Sequence, residues 1–356
     1  VAAVNSIAIN PSTVVVALSG GLDSSFAAAR LLELGWRVRG LHLTLPAPPG
    51  ILEARREAVL RVAGLLDIDV EFMDVTQPFA DSVVSPFVNG YLKGWTPNPC
   101  VVCNERIKFP ALCRYADSLD IPFVATGHYA RHERTEKNIS LLRGSDVLKD
   151  QSYFLHRVDR QWLSRSIFPI GTLTKAYCRR EALARGLTAA DSTESQEICF
   201  LHDADYRSLV EGHTGGKSAH TGKFVTETGD VLGDHQGIHR FTIGQRHGMG
   251  IASPRPYYVK ALRPEQGEVV VGRREEIFSR DVLATQFKWL REPQFSARLS
   301  AQIRYRHRAA PGLLRMVDKD NVRFIFDEPQ WAVTPGQALV CYDGDAVVGG
   351  GWISKP

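Results

Sequence analysis

Two stretches of the chain carry residue types whose spacing could do chemistry. The first is Ser19-Gly20-Gly21-Leu22-Asp23-Ser24, set between an apolar β-branched run and a stretch of helix formers. Paired glycines let the backbone close on an anion, and a helix start just beyond aims its N–H groups at that anion. Ser19 and Ser24 add hydroxyl donors. Asp23 repels a bare phosphate but suits a Mg²⁺-bridged pyrophosphate. The lysine of Gly-x-x-x-x-Gly-Lys-Ser/Thr is missing, so this is not a Walker loop. The Gly-x-Gly-x-x-Gly spacing of a dinucleotide fold is missing too. A plain Ser/Gly turn capping a helix is the blander alternative, which the flanking strand and helix disfavour.

The second stretch is Thr96-Pro97-Asn98-Pro99-Cys100-Val101-Val102-Cys103-Asn104. Its prolines stiffen the loop and bias each preceding residue toward an extended form. A cysteine just ahead of a helix has its thiolate favoured by the helix dipole, as a nucleophile needs. Arg106 and Lys108 add positive potential. Another cysteine, Cys199 in Ser195-Gln196-Glu197-Ile198-Cys199-Phe200, follows far along the chain. Cys100-x-x-Cys103 has no second pair to complete a zinc site. A thioredoxin-like pair would follow a first strand instead, and a core position is the plain alternative for Cys199.

These residues need a frame. Val14–Leu18, Val38–Leu43, Val70–Val75 and Phe123–Thr126 read as strands, with helices over Ser24–Leu34 and Leu52–Leu66 and a C′ glycine at Gly35. Repeated βα units predict a parallel sheet with helices on both faces and ligands at the carboxyl ends of its strands. Near residue 205 the texture turns to short alternating runs, such as Lys223–Thr226. Turn signals such as Asp343-Gly344-Asp345 then predict an all-β tail. The expected division is 1–205, 206–275 and 276–356. Between Arg298 and Arg315 lie five arginines and no acid. Strand alternation there puts Arg298, Gln302, Arg304 and Arg306 on one face, suited to phosphate contacts. A merely solvated charged face is the alternative.

The chain has 356 residues, 44% hydrophobic and 23% charged, enough for two or three soluble domains. Its net charge of +4 is compatible with a polyanionic partner and compels none. No apolar run approaches a membrane span, and the first thirty residues do not read as a signal peptide. With six cysteines in a chain of this length, reduced thiols in the cytoplasm are expected rather than a disulfide framework.

Ser-Gly-Gly-x-Asp-Ser after an N-terminal strand resembles the signature of the PP-loop ATP pyrophosphatases, which leave an adenylated substrate and pyrophosphate. Asparagine, NAD, GMP and argininosuccinate synthetases resemble the loop as well. A narrower resemblance, to tRNA-specific 2-thiouridylases, covers nearly the whole chain. It rests on Thr96 to Phe109, Gly127-His128-Tyr129-Ala130-Arg131, Lys149-Asp150-Gln151-Ser152-Tyr153-Phe154-Leu155 and Ser195 to Phe200. Thr242-Ile243-Gly244-Gln245-Arg246, Phe326-Asp327-Glu328-Pro329 and Thr334-Pro335-Gly336-Gln337 extend it through the β tail.

The resemblance implies an α/β fold: a parallel-sheet PP-loop (adenine nucleotide alpha-hydrolase-like) domain, a small central domain and a C-terminal β-barrel. It implies ATP with Mg²⁺, bound by Ala17, Leu18, Ser19, Gly20, Gly21, Leu22, Asp23, Ser24, Leu43 and Gly127, with no fixed protein metal site. It assigns the nucleophile to Cys103, the persulfide to Cys199, and a transient disulfide to the two. Asn98, Pro99 and Cys100 fall at the target base. Many members carry Asp at the Cys100 position, an acid given acid–base work, and this chain departs there. His128, Lys149, Asp150, Gln151, Arg304, Tyr305 and Gln337 are expected at the tRNA. The implied partners are tRNA and a cysteine desulfurase or sulfur-relay protein. The competing readings are a PP-loop ligase or amidotransferase for a small metabolite, and a non-catalytic tRNA-binding sulfur carrier. Asp23→Ala is expected to abolish pyrophosphate release while leaving tRNA binding within a few-fold. Retained ATP cleavage in that variant would remove the PP-loop reading.

Overall fold

Val14, Val15 and Val16 have no exposed surface, which places their strand, Thr13–Ala17 (β1), inside a sheet covered on both faces. The computed structural model of the chain describes residues 12–134, 139–187, 198–202, 205–213, 221–292 and 296–355. The chain separates into two compact units, residues 1–80 with 101–196 and residues 81–100 with 197–356.

In the first unit β1 pairs in parallel with Arg37–Thr44 (β2) and with Phe123–Ala125 (β4). Val70–Asp74 (β3) lies beyond β2 and Ser166–Ile167 beyond β4, so this five-stranded sheet is wholly parallel, as the βα repeats predict. Helix Leu22–Glu33 (α1) leaves the carboxyl end of β1 across the glycine-rich loop. Gly35, at φ +83°, ends it in a Schellman turn: its N–H donates to Leu32 O and that of Trp36 to Leu31 O.

α1 is buried on two sides. Ala28 and Leu31 pack with Val14, Val16 and Val38 of the sheet and with Val59 and Val62 of helix Pro49–Leu66 (α2). Phe26, Ala27 and Ala29 pack instead against Cys178 and Ala182 of helix Lys175–Ala184, together with Tyr129 and Ile170. Val15, Leu41 and Val124 meet Leu112, Cys113 and Ala116 of helix Phe109–Asp117 on the opposite sheet face. Both ends of the loop are thus held by packed elements.

The second unit contains a four-stranded sheet in the order Tyr258–Arg263, Glu268–Gly272, Gly222–Val225, Val231–His235. It also contains a closed barrel of six strands: Phe278–Trp289, Val322–Trp331, Ala310–Met316, Ser296–Gln302, Ala338–Asp343 and Ala346–Ile353. Pairs such as Ala284↔Ile353 and Trp289↔Gly349 close it and leave no edge among these strands. Glycine is required at the seam, because a Cβ on Gly349 would sit 2.4 Å from Lys288 O. Phe324, Phe326, Leu314 and Cys341 fill the interior.

The basic run departs from its expected form. The strand stops at Gln302, and residues 303–307 turn, so Arg298, Gln302, Arg304 and Arg306 do not share a strand face. The Gln302 side chain is buried and its Nε2 donates to Tyr305 O at 2.5 Å, a side-chain bond that closes the turn just past the last ladder pair, Gln302↔Val340. Arg304 Nη1 donates to Trp331 O at 2.9 Å, and Arg298 pairs with Asp327 at 2.6 Å.

Candidate active site

The loop between β1 and α1 holds its shape with its own hydroxyls. Ser24 Oγ donates to Gly21 O at 3.0 Å and accepts from Ser19 N at 3.2 Å. Ser19 Oγ lies 2.9 Å from Ser24 Oγ; with the Ser24 proton already committed, Ser19 is the donor. Both hydroxyls expected to face an anion are therefore spent inside the loop, and the backbone N–H groups of the first turn of α1 remain for that role. Gly20 adopts φ +79°. Ala17 and Leu43 lie half-buried at the carboxyl ends of β1 and β2, and Leu18 and Leu22 are anchored in neighbouring core clusters. The imidazole of His42, kept neutral by burial, reaches Leu18 O at 2.8 Å from Nδ1 and fixes the backbone entering the loop.

Asp23 is the focus of a network that the sequence did not reveal. Lys175 Nζ donates to its two carboxylate oxygens at 2.6 and 2.7 Å. Tyr129 OH donates to Oδ1 at 2.7 Å. The phenol is 2% exposed, and its pKa is raised by burial and by the Asp23 charge, so it stays a donor. Below it, the Cys178 thiol is pushed up by burial and stays neutral at ordinary pH. Gly127 closes the loop from above: a Cβ there would lie 2.7 Å from Asp23 C and 2.8 Å from Ser24 N. Those are backbone atoms, so only glycine lets the end of β4 approach the loop this closely.

The cysteine loop has its own supports. The helix opens at Pro99, the residue type favoured at a first helical position, so Cys100 lies in its first turn and Cys103 at its end, Pro99–Cys103. This corrects the expectation of a cysteine ahead of the helix. A π-turn, Asn104–Lys108, follows at once, a distortion that recurs at functional sites. Asn104 Nδ2 donates to Phe154 O at 3.2 Å. Cys100 is exposed and Cys103 half-exposed, while Asn98 and Pro99 are buried. Cys199 is exposed beside Phe200, which packs edge-on to Phe87. Ser195, Gln196 and Glu197 lie outside the described residues. All six cysteines are thiols. Burial pushes Cys113 up to about 11 and raises Cys341 as well, which leaves both inert.

The family model described as "tRNA methyl transferase HUP domain" matches residues 12–203. Models for a tRNA methyl transferase PRC-barrel domain and an aminomethyltransferase beta-barrel domain match 211–273 and 279–353. The tRNA-specific 2-thiouridylase MnmA of Carboxydothermus hydrogenoformans is 42% identical over 98% of this chain and 99% of its own length. The protein of that name from Syntrophotalea carbinolica is 42% identical over 96% of this chain and 98% of its own. MnmA 2 of Syntrophus aciditrophicus is 44% identical over 89% of this chain and 98% of its own. The chain belongs to the tRNA-specific 2-thiouridylase family.

Several residues that the 2-thiouridylase motifs suggested as tRNA contacts are turned inward. Asp150 Oδ1 accepts from Gly144 N and Ser152 N, and Oδ2 from Arg143 and from the Ser152 hydroxyl, all at 2.9–3.0 Å. That fills the acceptor sites of the Asp150 carboxylate, so the side chain anchors its own loop. Gln151 brackets Tyr129, accepting from its N–H at 3.0 Å and donating to its carbonyl at 2.8 Å. His128 is buried against Phe109, with its Nδ1 2.7 Å from Thr126 Oγ1, and does not face outward as expected. Gln337 Nε2 donates to Thr96 O at 2.8 Å, and Thr96 N donates to Pro335 O at 2.9 Å, so Thr334–Gln337 braces the cysteine loop. Lys149 and Tyr305 are half-exposed.

No cluster of three His, Cys, Asp or Glu side chains capable of holding a metal occurs among the described residues. Asp23 is the one carboxylate of the Ser19–Ser24 loop, the hard oxygen donor that a divalent cation accompanying phosphates would use. No helix among the described residues is long and apolar enough to cross a membrane.

Two predictions follow from this geometry. Gly127→Ala must push backbone aside, and is expected to cost about 1–3 kcal/mol in denaturant unfolding, the usual range for overpacking, together with nucleotide binding. Wild-type stability and binding in that variant would refute the close approach. His132 is kept neutral by burial, its pKa pushed down from 6.5 to about 4, and burial likewise holds His128 well below its ordinary value. The unfolded chain takes up these protons first, so stability present above pH about 6.5 is lost as pH falls toward 4. His132→Asn should flatten that decline in urea midpoints, and equal slopes in both proteins would contradict the assignment.

Proposed function

We propose that this protein catalyses ATP-dependent 2-thiolation of a wobble uridine in tRNA. The observation that carries the reading is the union, in one chain matched over its whole length by 2-thiouridylases, of the Ser19–Ser24 loop with exposed thiols at Cys100 and Cys199 and a half-exposed one at Cys103. The matching family models are described in terms of methyl transfer, but the full-length relatives are thiouridylases and the thiols favour sulfur chemistry. A small-metabolite ligase needs no such thiols, and a passive sulfur carrier needs no intact loop.

In this reading ATP is a substrate. The uridine C2 oxygen attacks its α-phosphorus and pyrophosphate leaves, which turns C2–O into a leaving group. Ala17 to Ser24, Leu43 and Gly127 form the nucleotide site in this reading; Asp23 would be the carboxylate that helps hold Mg²⁺, which would offset phosphate charge. A cysteine desulfurase or relay protein loads Cys199 as a persulfide. Either the terminal sulfur attacks C2, AMP departs and Cys103 then attacks Cys199 Sγ with the C2-bound sulfur leaving, or Cys103 attacks Cys199 Sγ first and the hydrosulfide it releases attacks C2 and displaces AMP. Each route breaks the persulfide bond and forms a Cys103–Cys199 disulfide, which an external thiol reductant returns to two thiols. The target base must leave its stack to reach the pocket. Asn98, Pro99 and Cys100 are proposed at the base, and Lys149, Arg304 and Tyr305 at the tRNA. The proposed division is a catalytic part to about residue 205, a central part to about 275 and a tRNA-contacting barrel beyond, acting in the cytoplasm.

The thiol roles separate in variants. Cys199→Ser should accept no transferable sulfur, yet still adenylate tRNA. Cys103→Ser should load at Cys199 but form no disulfide, with net thiolation collapsing. Cys100→Ser reports whether that thiol shares the chemistry, which a full loss of thiolation means, or only shapes the pocket, which a modest loss means. Mass analysis of each variant after exposure to a desulfurase and cysteine, with and without ATP and tRNA, makes the distinction. Thiolated tRNA from Cys199→Ser through a persulfide at Cys103 or Cys100 would reverse the assignment.

A further inference from the structure

The loop Ser19–Ser24 contains no lysine or arginine, and its two hydroxyl protons are spent inside it. A polyphosphate settling there needs a cation from elsewhere in the fold. Lys175 is 152 positions away in sequence, yet its Nζ stands 2.6 Å from Asp23 in the loop itself. The pair is not a core staple, because the Lys175 and Asp23 side chains keep 20% and 33% of their exposure.

Lys175 is held in place without Asp23. It opens its helix, where the Thr174 hydroxyl caps Tyr177 N at 3.2 Å. Its own N–H donates to Asp146 Oδ2 at 2.9 Å, and the helix behind it packs on α1 through Cys178 and Ala182. Its ammonium lies over the Tyr129 ring at 5.7 Å from the centroid. Asp23 is likewise held without Lys175, by the buried Tyr129 hydroxyl. The contact between them can therefore open with neither anchor lost.

We propose that Lys175 binds the polyphosphate of ATP by leaving Asp23, so that nucleotide binding replaces an internal ion pair and releases the Asp23 carboxylate toward the cation that accompanies the phosphates. This rests on the ATP-using reading above. The exchange is favoured by charge, since a triphosphate presents several negative charges where Asp23 presents one. It also explains how one aspartate serves a loop that binds anions. With the nucleotide absent, Lys175 cancels its charge; with the nucleotide bound, the charge is used to hold the metal.

The test is calorimetric titration of the full chain, without tRNA, using the uncleavable analogue α,β-methylene-ATP, with AMP as comparator. Lys175→Met should weaken the analogue with Mg²⁺ about ten- to a hundred-fold, the scale of one charge-assisted contact, while AMP stays within about two-fold. Lys175→Arg should recover part of the loss. Asp23→Asn should bind the metal-free analogue more tightly than the wild type, because Lys175 is no longer held, and Asp23→Asn with Lys175→Met should erase that gain. Wild-type affinity in Lys175→Met would overturn the proposal. So would equal weakening of analogue and AMP with a lowered melting temperature, which marks a structural pair. Absence of analogue binding by the wild type would sink the ATP reading along with it. Lys175-dependent binding in a protein that fails to thiolate tRNA would instead sustain the exchange and sink the thiolation.

Discussion

A carboxylate in the first turn of the helix that follows the glycine-rich loop draws its partners from distant parts of the first unit. Asp23 is tolerated because Tyr129 and Lys175 converge on it. Each of those is held by a segment of its own. Gln151 brackets the Tyr129 backbone, Asp150 ties down Gly144 next to it, and Asp146 receives the N–H of Lys175. Packing on both sides of α1 keeps the loop's geometry independent of the charges. The half-exposed ion pair adds little to stability by itself. On the proposed exchange, its weight lies in setting where charge would stand when a polyphosphate arrives.

The second unit solves a different problem. A short loop bearing Asn98, Pro99 and Cys100 must present a thiol without wandering. Thr96 is clamped by the Pro335 carbonyl and the Gln337 amide, while Gly336, at φ +89°, brings that brace to within contact of Trp95 and Thr96. Closure of the barrel gives the brace a rigid base. Gln337, expected at the tRNA, thus also holds the segment that leads into the cysteine loop.

Much of this was legible in the sequence, and the rest failed for definite reasons. Periodicity and β-branching located the strands of the parallel sheet, and Gly20 and Gly35, both at positive φ, punctuate the chain where the backbone needs them. Tyr129 and Lys175 were not legible as partners of Asp23, because 106 and 152 positions separate them from it and only the fold brings them together. Asp150 shows a second limit. A motif fixes residue identity whether the side chain serves a ligand or a scaffold, and only the count of satisfied acceptors separates the two. Arg304 shows a third. Alternation predicted a longer strand, but the chain turns after Gln302, whose side chain bonds the backbone three residues on.

The central claim is that adenylation at the loop and sulfur transfer by the thiols are steps of one reaction on tRNA. Incubating the protein with ATP, a desulfurase with cysteine, and tRNA lacking the modification, then quantifying nucleosides, AMP and pyrophosphate together, tests it most directly. The account predicts 2-thiouridine at the wobble position only when ATP is present, with pyrophosphate release that depends on tRNA. Pyrophosphate released equally well without tRNA, or thiolated uridine formed without ATP, would contradict it.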